Sequence, residues 1–415
     1  MFKAAVKVLS GAIVAGCTAT TIGKYREQEK DTIEQYSIHT SSDEKNDANC
    51  DVTEHNFVQG IIGNCGMVSA MATLPSNREL YSRVIPKKIC NLAAEYDSSK
   101  PEFEFNLYKF GKLHKVVIDD SLPEMYGHLM YCQRPENGSF VGPLLEKALI
   151  QLLCDGSYES AIGTFGHQVL TSFTNSFFEF YSKDYNFKVK NGNVMNLPDL
   201  VKHGLITKSQ MTVAFTGENH AYTLVDIRDD LVKLYNPHGR KFLIPKKTFL
   251  DELCLLIISY YKNKLFNFDE ISSFIEFTDT WSANAWPTWR AGHLYINVYD
   301  LKVEEDDTEV LLNVIEKPGA RMFVSCKIQD TSLFERPNDG SRGRLNSFRA
   351  NLNRGTYKIV VCVSNRDKDY DLSLKYLENG GDKFLFRLAA SKKCVVEKED
   401  SSFIQKILWK ILSHW

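Results

Sequence analysis

The sequence predicts an α+β protein in which a mixed helix-and-strand part is followed by an antiparallel β-sandwich. Three observations predict it. Apolar residues recur at helical spacing in CGMVSAMATL (65–74) and GPLLEKALIQLLCDG (142–156). Strand-like runs bounded by turn residues lie around them: FNLYKFGKLHKVVIDDSLP, MTVAFTG, HAYTLVDIRD and LVKLYNPHG. After about residue 280 only short β-rich runs remain, with no helical pattern between them.

The elements follow in order. MFKAAVKVLSGAIVAGCTATT has a basic start, a short apolar run and small residues before Cys17. It reads as a signal peptide with a lipoprotein-like cleavage box, a membrane-surface helix acylated on Cys17, or a frayed apolar terminus. Residues 18–56 are polar and nearly free of aromatics, as in a linker. CGMVSAMATL opens the ordered part. FNLYKFGKLHKVVIDDSLP predicts two strands around a Gly-Lys turn, closed by Pro123. GPLLEKALIQLLCDG predicts a helix with Pro143 near its start and Asp155-Gly156 at its end. Three strands follow in MTVAFTG, HAYTLVDIRD and LVKLYNPHG, the last two joined by an Asp-Asp turn, and the apolar TFLDELCLLIISYY closes the unit.

Beyond residue 280, GHLYINVYDLKV, EVLLNVIEK, ARMFVSCKIQD, TYKIVVCVSN, YDLSLKYLE and KFLFRLAA predict strands. Lys317-Pro318-Gly319, Asn338-Asp339-Gly340 and Asn379-Gly380-Gly381 supply turns. The tail SSFIQKILWKILSHW places Ile404, Leu408, Ile411 and Trp415 on one helical stripe. The stripe suits packing on the chain itself or, with Lys406 and Lys410, on a membrane surface. The division is an apolar segment and linker (1–45), a core (46–280), a β-sandwich (281–395) and an amphipathic helix (396–415).

Composition narrows the chemistry. A formal net charge of −2 over 415 residues gives no basic field for nucleic acid. Ten cysteines without a CxxC pair fit neither a disulfide scaffold nor a zinc site, and point to an intracellular, reduced protein.

The candidate chemistry starts at Cys65 in VQGIIGNCGMVSA. Gly60 and Gly63 allow a sharp turn that puts Cys65 at a helix N-terminus, where free N–H groups and the helix dipole favour a thiolate. A thiolate nucleophile needs a base, and the base an orienting partner. His220 opens the strand HAYTLVDI and Asn236 ends the next one, so antiparallel pairing would bring imidazole and amide together. Cys, His and Asn in this order, each at an element end, point to nucleophilic catalysis.

QGIIGNC, LLEKA, GSYES, NHAYTLVDI and LYNPHG resemble the calpain cysteine protease signatures QGxxGDCW, LLEKAYAKxxGSYE, GHAYSV and RNPWG, in that order. VVIDDSLP resembles the family's VVVDDxLP. The match runs from about 56 to 265. The resemblance implies a papain-like fold, with Cys65 on a helical lobe reaching about residue 165 and His220 and Asn236 on a β-rich lobe after it. It implies Cys65 as nucleophile, His220 as general base, Asn236 as orienting residue and Gln59 as the oxyanion-hole side chain beside the Cys65 N–H. The β-rich region from 281 is similar, in position and texture, to the sandwich that follows the protease core in calpains. Its acidic cluster, Glu304, Glu305, Asp306, Asp307 and Glu309, reads as a solvated loop.

Departures from the family pattern are equally specific. Its tryptophan after the cysteine is Gly66, its preceding Asp is Asn64, and the tryptophan after Asn-Pro is His238. In the family those indoles line the cleft and shield the His–Asn pair from water, and His238 is expected to replace that shield in part, to be a second titratable group or simply to be surface. The positions of two acidic calcium ligands align with Asn56 and Ser139, and a basic segment, NPHGRKFLIPKK, stands where an acidic loop would follow. Calcium is thus possible through the family but its core sites look degenerate, and no other cofactor is implied. No DxDxDG-type motif occurs, so the resemblance does not extend to the calmodulin-like domain.

The function expected is limited proteolysis of protein substrates by a calpain-like cysteine endopeptidase with weakened or absent calcium control. The alternatives are a catalytically weak homologue serving as an adaptor or membrane-associated regulator, and acyl transfer to an amine by the same residues.

Overall fold

The structure is a computed structural model. It describes residues 53–90, 102–125, 128–133, 139–158, 161, 166–182, 197–215, 218, 220–265, 270–280, 286–288, 292–316, 322–330, 347–365 and 383–398. The expected N-terminal segment, the strand in YDLSLKYLE and the three turns at 317–319, 338–340 and 379–381 lie outside these residues.

The first half builds around helices α1 (Cys65–Met71), α2 (Arg78–Val84) and α3 (Lys87–Cys90), followed by the hairpin β1 (Phe103–Lys109) and β2 (Lys112–Ile118). Two short strands, β3 (Glu124–Met125) and β4 (His128–Leu129), then lead to α4 (Val141–Leu153) and α5 (Gly166–Thr174). Asn77 caps α2 by accepting the Leu80 N–H at 3.1 Å. The hairpin turn is Phe110-Gly111 rather than Gly-Lys. Both residues have positive φ, 48° and 77°, as a tight primed turn needs, and glycine adopts that conformation without strain. Alternation sends Phe103, Phe105 and Leu107 of β1 into one core with Met67, Val68 and Met71 of α1 and Leu145 and Leu149 of α4. Each such burial contributes about 1.5–3 kcal/mol. Val169, Leu170 and Phe173 of α5 join the same core, so the helical lobe extends past the expected limit near 165.

The second half of the core is an antiparallel sheet of β5 (Phe178–Ser182), β6 (Gln210–Phe215), β7 (Ala221–Arg228), β8 (Leu231–Asn236), β9 (Arg240–Pro245) and β10 (Leu253–Ser259). Its order is β5-β10-β6-β7-β8-β9. The expected Asp-Asp turn joins β7 to β8, with Asp229 at φ 49°. The apolar segment at 248–261 divides into the end of α7 (Lys246–Glu252) and strand β10. Helix α6 (Leu197–Ile206) buries Leu200 and Val201 against Tyr222, Leu224, Val232 and Leu234 of the sheet.

Two further antiparallel sheets follow. One is ordered β11 (Ser273–Thr280), β18 (Lys383–Ala390), β14 (Thr308–Glu316), β16 (Ser347–Leu352). The other runs β12 (Trp286–Thr288), β13 (Gly292–Val303), β17 (Gly355–Asn365), β15 (Met322–Asp330), with β19 (Cys394–Lys398) on β13. Leu301, Val303, Ile359 and Val361 of the second meet Val310, Leu312, Val314, Phe386 and Leu388 of the first in a sandwich core. Leu311 and Ala389 point the other way, into the core of the six-stranded sheet. The first sheet is therefore covered on both faces, which explains why EVLLNVIEK and KFLFRLAA read as continuous apolar runs.

Two boundaries move. Strand β11 pairs along its length with β18, from Ser273↔Ala390 to Thr280↔Lys383, so the sandwich sheet takes in residues before 281. Residues 396–398 belong to strand β19, not to a terminal helix; positions 399–415 lie outside the described residues. Glu309 also departs from the solvated-loop reading: its carboxylate pairs with Arg349, while Glu304–Asp307 stay exposed. Among the described residues no helix is long and apolar enough to cross a membrane.

Candidate active site

Cys65 is the first residue of α1. The segment before it is held from both sides. Val58 bridges to Gln133, the Ile61 N–H donates to the Met130 carbonyl at 3.2 Å, and the Gln59 N–H donates to the Pro237 carbonyl at 2.7 Å. Gly60 is required here by space, since a Cβ would lie 2.0 Å from the Tyr131 carbonyl oxygen.

Asn64 precedes the helix but does not cap it with its side chain. Its amide nitrogen donates to Oε1 of Glu146 on α4, and the other oxygen of that carboxylate accepts the Cys132 N–H at 2.8 Å. Both Asn64 and Glu146 are buried. Burial pushes the Glu146 carboxyl up to about 7, against the lowering effect of its two donors. Asn64 thus ties the start of α1 to α4 through a buried hydrogen bond.

The β7–β8 pair carries the other two candidates. Thr223 is opposite Tyr235 in register, so the start of β7 and the end of β8 lie side by side. His220 Nε2 lies 3.0 Å from Asn236 Oδ1. The same oxygen accepts the His238 N–H at 3.0 Å, a turn typical of Asn. That backbone donor identifies the atom as oxygen, and an oxygen acceptor requires the proton on His220 Nε2. His220 Nδ1 is then left with its lone pair.

Cys65 is partly buried, and its sulfur sits among the backbone amides of Ala221, Gly66 and Cys65 itself. Burial raises the thiol pKa, and these amides oppose the rise. Ala221 follows His220 in the chain, so the sulfur lies beside the residue that carries the imidazole. Two bonds fix this approach: the Ser69 hydroxyl donates to the Ala221 carbonyl at 2.8 Å, and the Thr223 hydroxyl donates to the Ser69 carbonyl at 2.6 Å. The Tyr235 hydroxyl donates to the Phe57 carbonyl at 2.8 Å, and Lys241 pairs with Glu54 at 2.8 Å. Helical and sheet parts are thus joined on both sides of the candidate residues.

Gln59 turns its amide nitrogen to the Ile62 carbonyl at 2.8 Å. One of its two amide hydrogens is engaged there and the second remains for another acceptor. His238 is exposed and its ring stacks on His220, with centroids 4.9 Å apart and planes 5° apart. Tyr222 meets His220 edge-on and donates its hydroxyl to Glu218 at 2.7 Å.

At the two candidate calcium-ligand positions, Asn56 is buried with its side chain against the Tyr81 hydroxyl, and Ser139 Oγ accepts the Val141 N–H at 3.3 Å. Among the described residues no three His, Cys, Asp or Glu side chains are grouped to hold a metal ion.

Cys65, His220, Asn236 and Gln59 are gathered at one junction. Ser69, Thr223 and Glu146 were not anticipated there. Only Glu146 had a local signal, an acid on the apolar side of a helical pattern.

A family profile described as "Calpain family cysteine protease" matches residues 23–244. Calpain-5 of Mus musculus is 27% identical over 227 residues, 46% of this chain and 35% of that protein. Calpain-2 catalytic subunit of Gallus gallus is 33% identical over 129 residues, covering 31% and 18%. Calpain-1 catalytic subunit of Rattus norvegicus is 28% identical over 213 residues, covering 45% and 28%. The matches thus span about a third or less of the length of these curated relatives.

Proposed function

Because the chain belongs to the calpain family of cysteine proteases, we propose that it is a cysteine endopeptidase making limited cuts in protein substrates, with Cys65 as nucleophile. The observation that carries this reading is the His220–Asn236 pair, whose tautomer leaves Nδ1 as the base, set beside a cysteine at a helix start.

His220 Nδ1 takes the Cys65 proton, and the thiolate adds to the scissile carbonyl carbon. The oxyanion is met by the Cys65 N–H and the second amide hydrogen of Gln59. The tetrahedral intermediate collapses to a thioester as His220 returns the proton to the leaving amine. A water molecule, deprotonated by His220, then hydrolyses the thioester and restores the thiol. Asn236 holds the imidazole throughout.

Calcium control is proposed to be weak or absent. A hard cation prefers several oxygen ligands, usually with carboxylates, whereas the two candidate positions carry Asn56, turned to Tyr81, and Ser139, turned to the Val141 N–H. These residues do not fit the ion. The bonds from Ser69, Gln59, Thr223 and Tyr235 support alignment of the two lobes without it.

The test is cleavage of unfolded casein by the full chain, with calcium and with chelator. Cleavage in both, abolished by Cys65→Ala, is expected. No cleavage in either condition, or cleavage that survives Cys65→Ala, would overturn the protease reading; strict calcium dependence would overturn only the calcium reading. The raised Cys65 pKa favours one second reading, an adaptor whose site no longer activates the thiol. Selective alkylation of Cys65 near neutral pH would rule that reading out.

A further inference from the structure

His238 is exposed at the turn that follows β8. Its imidazole lies 5° from parallel to that of His220 at 4.9 Å, and its N–H shares the Asn236 oxygen that holds His220 Nε2. The Asn236 turn fixes the backbone of His238, and from there its side chain reaches the face of the His220 ring. We infer that His238 is a positioning residue: it fixes the plane of the His220 imidazole and sets the acid limit of the reaction. The inference rests on the proposed protease reading.

The physical reason is the charge created when the thiol gives its proton to His220. The resulting imidazolium is compatible with a neutral aromatic face stacked on it. A protonated His238 presents a like charge at the same distance and depopulates the thiolate–imidazolium pair. Histidine ordinarily ionises near pH 6.5, so this opposition enters within the physiological range. An indole or phenyl ring in the same stack would never introduce it.

The charged and titratable surroundings of this turn are few. Arg240 and Lys241 lie on β9, Lys241 being paired with Glu54, and Lys233 lies on β8. Burial, and after it Lys241, lower the His55 pKa. Glu218, before β7, is bound by the Tyr222 hydroxyl. The excess around the turn is basic, which opposes rather than favours a second cation.

The experiment measures kcat/KM on unfolded casein from pH 4.5 to 8.5 for the wild-type chain, His238→Trp and His238→Phe. In parallel, the second-order rate of Cys65 alkylation by iodoacetamide is followed by mass spectrometry of the Cys65 peptide. The wild type is expected to lose rate below about pH 6.5 in both profiles. Both aromatic variants should move that limb down by about one pH unit, giving roughly tenfold more relative rate at the acid end. An acid limb that stays in place in either variant overturns the assignment. So does a wild-type alkylation profile with no inflection above about pH 5.5, a reading that needs no variant to fold. If casein is untouched while the alkylation limb still shifts, the protease reading fails and the role of His238 stands.

Discussion

Arg349 of β16 closes a forked ion pair on Glu179 of β5, with Nε to Oε1 at 2.7 Å and Nη2 to Oε2 at 2.6 Å. Both side chains are buried, 7% and 4% exposed. The pair crosses from the β-sandwich to the six-stranded sheet that carries His220. Glu309 and the Tyr260 hydroxyl complete the cluster, and the Asn313 side chain adds two backbone bonds to Phe178 at 2.8 Å. A buried charge cluster of this kind holds one docking geometry, because half of it cannot be left unpaired.

Arg349→Met should therefore destabilise the chain by about 3–5 kcal/mol, since Glu179 loses its cation while buried and Glu309 while half-buried. Glu179→Gln combined with Arg349→Met should recover part of that loss. Urea unfolding midpoints of the three proteins decide it. Equal midpoints for wild type and Arg349→Met would mean that the cluster opens to water and contributes little.

Gly60→Ala should damage the site more than the fold. The added methyl would meet the Tyr131 and Met130 carbonyl oxygens at 2.0 and 2.7 Å, so the segment must shift away from its bonds to Met130 and Pro237. Gln59 and Cys65 flank it and would shift too. Activity should fall at least tenfold, because small misplacements at the reacting centre are costly. The unfolding midpoint should fall by about 1–3 kcal/mol equivalents. A variant with full kcat/KM would show that the close approach of Gly60 to the segment at 130–133 is not needed for catalysis.

The grouping of the candidate residues was legible because they sit at element ends with local marks. Cys65 follows two glycines, His220 opens a strand and Asn236 closes the next, and β7–β8 pairing did the rest. Asn64–Glu146 was not legible, as its partners are 82 residues apart and neither position reveals the other. The sandwich was legible as a class, through turn-separated apolar runs. Its edge β11 was missed because SFIEFTDT alternates half-buried and exposed residues and precedes a change of texture, not follows it. Strand β16 was missed because SFRANL keeps Arg349 inside, where only the remote Glu179 and Glu309 make a cation tolerable.

Gln59→Ala tests the oxyanion donor. Loss of one such donor should lower kcat by about 10²-fold with little change in KM, because the amide acts on charge that develops only in the transition state. The Ile62 carbonyl would also lose its partner, so the unfolding midpoint must be measured beside the rate. A change confined to KM would place Gln59 in substrate binding instead.

Glu146 gives the sharpest pH prediction. Its folded pKa is raised from 4.5 to about 7 by burial, so the folded chain holds this proton more tightly than the unfolded one. The favourable contribution is complete below about pH 4.5 and is lost as pH rises through about 7, a change of about 3 kcal/mol. Glu146→Gln removes the titration while keeping a carbonyl oxygen for the Asn64 amide or the Cys132 N–H. The variant should thus be the less stable protein at pH 5, where the neutral acid satisfies both donors, and should gain on the wild type by about 2–3 kcal/mol between pH 5 and 8.5. Urea unfolding of both proteins across that range reads the gap directly. A gap that stays constant with pH would mean that water or a further donor keeps Glu146 ionised beside Asn64.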